Sequence, residues 1–236
     1  VKNDNGSIDV SDVTGAADLT SKFGQIKASN ISGALLARND NGEVTASKIG
    51  AGAIIRTKFG AAKLNDIGGD AVVENDNGVI ELSGIRGTAK VTTKFGHIHA
   101  RDVAKAVSAE NDNGEIKVSG APAGVTAKTK FGAIKLDAVG GAMDLSNDNG
   151  AIEVAKVAGA ACEPLTASTR FGPIRITIPE NSNYDLTART QFGKIQSKFP
   201  LTIEGRDERP SANGKIGRGG CPMRLTNDNG SIAINP

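Results

Sequence analysis

The sequence predicts an all-β chain wound as a parallel β-solenoid, and three observations predict it. The tetrapeptide Asn-Asp-Asn-Gly begins at residues 3, 39, 75, 111 and 147, an unbroken spacing of 36 residues, and returns at Asn227. Near the midpoints stands a second motif, Lys22-Phe23-Gly24, Lys58-Phe59-Gly60, Lys94-Phe95-Gly96 and Lys130-Phe131-Gly132, followed later by Arg170-Phe171-Gly172 and Gln191-Phe192-Gly193. The structural unit is therefore 18 residues, with glycine fourth and aliphatic residues sixth, eighth and eleventh. Within each unit apolar and polar residues alternate, as at Ile8 and Val10, Ile80 and Leu82, or Ile116 and Val118, which is the two-residue rhythm of a half-buried strand. A unit this short cannot bury its apolar face alone and must stack on its neighbours.

Each coil reads as two strands joined by tight turns. One strand follows the fourth-position glycine; a second alternating stretch, such as Val125, Ala127, Thr129 and Phe131, runs up to the next one. The fourth-position glycine recurs from Gly6 and Gly24 through Gly193 to Gly230. Alternate coils place phenylalanine before it, a residue that tolerates positive φ poorly, so the demand for that conformation falls on the glycine. The thirteenth position is looser, because Ala51, Lys105 and Ala123 replace glycine there. The 236 residues are expected to form one domain, 1–236, of about twelve coils, regular over 3–160 and loop-decorated over 161–236. A right-handed crossover is the default for parallel strands.

Stacking at about 4.8 Å per layer turns the second motif position into a column: Asp4, Lys22, Asp40, Lys58, Asp76, Lys94, Asp112, Lys130, Asp148, Arg170. Opposite charges alternate along it. Each exposed pair is worth only about 0–1 kcal/mol, yet skipping one coil would juxtapose like charges, so the ladder specifies register. The third-position column alternates asparagine and phenylalanine. Strand alternation expects it to point inward, phenylalanine supplying bulk and asparagine binding turn backbone groups.

After Gly150 the spacing loosens. Extra residues fall around Ala161-Cys162-Glu163-Pro164, Ile178-Pro179-Glu180-Asn181 and Phe199 to Pro210, with Gly214 dividing the last stretch into further coils. All three insertions are expected between the two strands of a coil, gathered on one edge, as a binding edge or as a cover for the last coils.

The repeated Asn-Gly and Phe-Gly turns, the segment from Ile178 through Tyr184-Asp185-Leu186 to Gln191-Phe192-Gly193-Lys194-Ile195, and the closing Leu225 to Ile232 resemble the bacterial adhesin-type β-strand-repeat family, a family of unknown function. The resemblance implies a parallel β-solenoid at the bacterial surface or envelope, and it brings no catalytic residues. The chain is expected to be exported, to the cell surface or periplasm, as a mature form whose export signal has been removed.

Residue chemistry narrows the function. The net charge of +2 is small and its signs interleave, so no basic stripe points to nucleic acid, and no run approaches the ~20 apolar residues of a membrane span. His97 and His99 are expected on the outward face with Glu115 and Glu81 in the same columns on adjacent coils, but spacing fixes no third ligand, so no metal is assigned. The Asp-Asn-Gly turns share residue types with calcium sites, but most of these Asp residues have a Lys or Arg above or below as counter-charge. Cys162 and Cys221 fall two or three coils apart, about 10–14 Å by stacking, so a disulfide needs a bent loop, while export would favour one. No Ser-His-Asp set or carboxylate pair stands out, and Tyr184 is the only aromatic platform expected for a sugar. Catalytic residues and cofactors are assigned none.

Two classes of function follow. One is a non-enzymatic adhesin-like binding module for an unidentified surface ligand or protein partner, with its contact edge at the C-terminal insertions. The alternative is a structural solenoid that assembles into a larger surface or filamentous array. End-to-end stacking in phase is disfavoured on the expectation that both ends present the Asp-bearing motif.

Overall fold

The computed structural model describes residues 1–155, 162–204 and 210–236, and all regular structure among them is β. A parallel β-solenoid results. The first coil runs Lys2–Asn5 then Ile8–Val13, the second Ala17–Phe23 then Ile26–Ile31, and the pattern repeats to the ninth, Met143–Asn149 then Ile152–Ala155. One strand of each coil joins a fourteen-stranded wall carrying the two motifs, the other a twelve-stranded wall. Among the described residues no helix is long and apolar enough to cross a membrane.

Register follows the repeat. Parallel partners lie 18 residues apart from Asn3↔Ser21 to Thr129↔Asn147. Nine coils keep this length, fewer than the expected twelve or so, because the remaining layers carry longer connections. Per lap, the sixth, eighth, eleventh, fifteenth and seventeenth positions face in, as with Ile26, Ala28, Ile31, Leu35 and Ala37, all buried. Each large aliphatic contributes roughly 1.5–3 kcal/mol of gross burial, so the core is a continuous column rather than a central cluster.

A bend at the tenth position lets the eleventh face inward. Asp12, Asn30, Lys48, Asp66, Asp102 and Ala138 hold φ between 50° and 58° there, with Gly84 and Gly120 at 66°. The residue types themselves carry this signal, since Asn, Asp and Gly are those that tolerate the left-handed conformation.

The order of the last layers departs from the sequence. Leu165–Phe171 and Ile174–Thr177 form the tenth layer, but the eleventh is Pro222–Asn229 with Ile232–Asn235, and Tyr184–Phe192 with Ile195–Ser197 is the twelfth. The C-terminal coil is thus inserted between two coils that precede it in sequence. Alternation explains the insertion: Phe171 and Phe192 belong to consecutive motifs of one kind, and the missing Asn-Asp-Asn-Gly layer is supplied by Asn227–Gly230, with Asn229 paired to both phenylalanines. Direct stacking of the two Phe-Gly coils would have broken every alternating column at that step.

The insertion corrects three expectations. Cys162 and Cys221 come into adjacent layers, with Cα atoms 5.1 Å apart, and form a disulfide. The far end of the stack is not the Asp-bearing coil but the Gln191 layer. Beyond it Ser211–Ile216 runs antiparallel to Tyr184–Phe192, and Thr202–Glu204 pairs with Ser211–Ile216, so this stretch caps the motif-bearing wall. Gly214 lies in that cap and begins no coil. The residues around Glu163 and Pro179 do sit, as expected, after a strand that follows the fourth-position glycine and before the next motif-bearing strand, whereas Ala161 and residues 205–209 lie outside the described residues.

Candidate interaction surface along the phenylalanine stripe

The motif corner is built around the first position, not the third. Asn39, Asn75, Asn111, Asn147 and Asn227 alternate with Ser21, Thr57, Thr93, Thr129, Thr169 and Thr190, all buried. Each asparagine donates Nδ2–H to the glycine carbonyl of the layer before: Asn75 to Gly60 at 2.9 Å, Asn111 to Gly96 at 2.8 Å, Asn147 to Gly132 at 2.7 Å and Asn227 to Gly172 at 2.7 Å. Its Oδ1 accepts the N–H of the third-position residue at Asn77, Asn113 and Asn149. Only the donor half of this clamp forms at Asn39 and Asn227, whose Oδ1 atoms are unpaired. In the alternate layers Thr93, Thr129 and Thr169 hydroxyls donate to the carbonyl of their own phenylalanine.

That clamp turns the backbone at the third position, and the expectation that its side chains point inward is wrong. Phe23, Phe59, Phe95, Phe131, Phe171 and Phe192 are 53–64 % exposed. An inward column of phenylalanine and asparagine would have swung by a ring volume from layer to layer in a core that packs near crystal density. Small hydrogen-bonding residues in the first column, which favour side-chain turns, were the available sequence signal.

The fourth-position glycine closes the corner. Gly24, Gly42, Gly60, Gly78, Gly96, Gly114, Gly132, Gly150 and Gly172 have φ between 111° and 151°. Adjacent corners also nest, so that a Cβ on Gly114 would overlap the Gly96 carbonyl. Glycine is required twice over.

What remains outside is a stripe of six phenylalanines, one in every second layer, separated by Asn41, Asn77, Asn113, Asn149 and Asn229. Alongside runs the predicted charge ladder. Lys22 pairs with Asp4 at 3.0 Å, Lys58, Lys94 and Lys130 with Asp40, Asp76 and Asp112 at 2.8 Å, and Arg170 with Asp148 at 3.6 Å. Every cation of the ladder leans toward the layer before it. Hydrogen bonds to these aspartates hold the Lys58, Lys94 and Lys130 ammonium groups above their usual range.

The other candidate residues are placed as follows. Glu81 and His99 are cross-strand neighbours, and His97 Nδ1 accepts the N–H of Glu115 at 3.0 Å. The Glu115 carboxylate is 2.7 Å from Lys135 and 3.7 Å from His99, and its hydrogen bond to Lys135 holds it below the ordinary range. One His97 nitrogen and the Glu115 carboxylate are thus engaged by residues of neighbouring layers, and among the described residues no three His, Cys, Asp or Glu side chains group to hold a metal. A shallow polar groove of about 480 Å³ on the same wall includes Lys63, Glu81, His99 and Arg101.

Tyr184 is no sugar platform, because it is 5 % exposed at the twelfth layer. Burial, with the Glu163 charge adding to it, pushes its phenol up to about 12. As the only tyrosine of the chain it reports alone. Phenolate absorbance is expected to titrate near 12 rather than about 10. Because the folded pKa is the raised one, the protein loses stability as pH climbs from about 10 toward 12. A midpoint near 10 in still-folded protein would contradict this burial.

No family model, no curated protein and no solved structure matches the chain. The functional reading below therefore rests on the geometry of the stripe and on residue chemistry.

Proposed function

We propose that this chain is a non-enzymatic binding module of adhesin type at the bacterial surface or in the periplasm, with the phenylalanine stripe as its contact surface. One observation carries the reading: six rings more than half exposed in a single column of an otherwise polar corner. Exposed aromatic rows of this kind mark sites of macromolecular contact, since the same corner closes equally well with asparagine in the intervening layers. The Cys162–Cys221 disulfide fits an oxidising compartment outside the cytoplasm.

The C-terminal insertions are a weaker contact edge than the sequence suggests, because Thr202–Glu204 of the last one pairs into the antiparallel cap. Deleting residues 200–210 would strip part of that cap and confuse binding with folding. A better test substitutes Phe59, Phe95 and Phe131 with asparagine and compares retention of labelled protein on bacterial envelope preparations. Loss of retention with unchanged circular dichroism and melting supports the reading; equal retention overturns it.

A further inference from the structure

We infer that the stripe takes a second copy of this chain, packed antiparallel across a two-fold axis that passes between the sixth and seventh layers. The inference rests on the reading of the stripe as the contact surface and names its partner.

Period selects the occupant. Phenylalanines recur every second layer, about 9.6 Å, whereas an extended peptide presents same-face side chains every ~6.6–6.8 Å and falls out of phase within two rings. A partner that keeps step must itself be a stack with a two-layer repeat. This chain is such a stack.

Size and charge then agree on one arrangement. Phenylalanine and Lys or Arg share the same layers, save the twelfth, where Gln191 accompanies Phe192, while asparagine and Asp share the layers between them. Seating each ring of one copy in the asparagine gap of the other therefore sets each cation opposite an aspartate. The inserted C-terminal coil makes the number of layers even. Full antiparallel overlap consequently falls in the favourable phase: Phe23 meets Asn229, Phe59 meets Asn149, Phe95 meets Asn113 and Phe192 meets Asn5 of the partner. In the ladder column, Lys94 meets Asp112, Lys58 meets Asp148 and Lys22 meets Asp228. A slip of one layer would set ring on ring and like charge on like charge, and a parallel two-fold would set ring on ring and carry the two charge columns to opposite flanks.

The contact is large enough. Twelve layers span roughly 55 Å, and a strip five residues wide adds about 16 Å, which together approach the ~800 Å² per partner of a standard interface. The interface is isologous and closes on itself.

Sedimentation velocity over a concentration series tests this. Wild-type protein is expected to form a reversible dimer. Phe95→Asn, which installs the residue already present in the flanking layers, is expected to raise the dissociation constant at least about tenfold with unchanged melting. Phe131→Asn, one phenylalanine further along, is expected to do the same. Lys94→Asp and Asp112→Lys should each weaken the dimer, and an equimolar mixture of the two should restore it, because both symmetry-related contacts regain opposite charges.

A wild type that stays monomeric up to high micromolar concentration overturns the inference, as does a mixture no tighter than either variant alone. Should the monomeric wild type still lose envelope retention on substitution of Phe59, Phe95 and Phe131, the contact surface stands and only the self-partner falls. Should a dimer form while those substitutions leave retention intact, the binding role of the stripe falls and the pairing stands.

Discussion

Gly114→Ala is expected to destabilise the solenoid by about 2–6 kcal/mol, a large effect for one added methyl. Two costs combine. The φ of 141° at Gly114 is strained for any residue with a side chain, about 1–3 kcal/mol. The new carbon also overlaps the Gly96 carbonyl of the layer before, and relieving that overlap prises apart two stacked corners at a further cost of about 1–3 kcal/mol. Gly15→Ala separates the two, because φ there is 108° but a Cβ would meet nothing within 4 Å. Chemical denaturation of both variants should show the larger loss at Gly114; equal losses would mean that nesting of the corners contributes nothing. Since each coil touches only its neighbours, the damage should spread from the middle of the stack and lower cooperativity.

The second large effect concerns the disulfide. Cys162 and Cys221 are separated by 59 residues, and releasing a loop of that length costs about 4 kcal/mol in the chain-entropy account. Reduction, or Cys221→Ala, should act locally. Amide exchange is expected to quicken over Pro222–Asn235 and Tyr184–Ser197 while the nine regular coils keep their protection, because the bond ties the inserted coil to the connection leading into the tenth layer. Unchanged exchange over these segments after reduction would show that strand pairing alone holds the inserted coil.

Much of the architecture was legible because repetition amplifies weak signals. One Ile8–Val10 alternation proves little, but the same alternation at fixed phase through Ile152 and Val154 leaves few other folds. The charge ladder was readable for the same reason, with Lys58 above Asp40 and Lys94 above Asp76. Two features were misread, both where local rules compete. Extrapolating strand alternation through a corner places the third-position phenylalanines in the interior, whereas the buried Asn111 and Asn147 bind the turn there, so the last residue of each strand faces out. The final layers were read in chain order, although two successive Phe-Gly motifs, at 171 and 192, already signalled a vacant asparagine layer between them. Pairing Cys162 with Cys221 depended on that vacancy, so it could not be settled until the insertion was recognised.

The displaced C-terminal coil also has a temporal meaning. A ribosome delivers this polypeptide from its first residue onward, and nine laps can settle as they emerge. The segment from Tyr184 to Ser197 cannot dock in its final place against a neighbour that has yet to be translated. Completion of the spiral must therefore follow synthesis of Asn235, and until then the edge of the tenth layer and the strand Tyr184–Phe192 both lack their final partner, which is the interval in which this molecule is most exposed to pairing with the wrong strand.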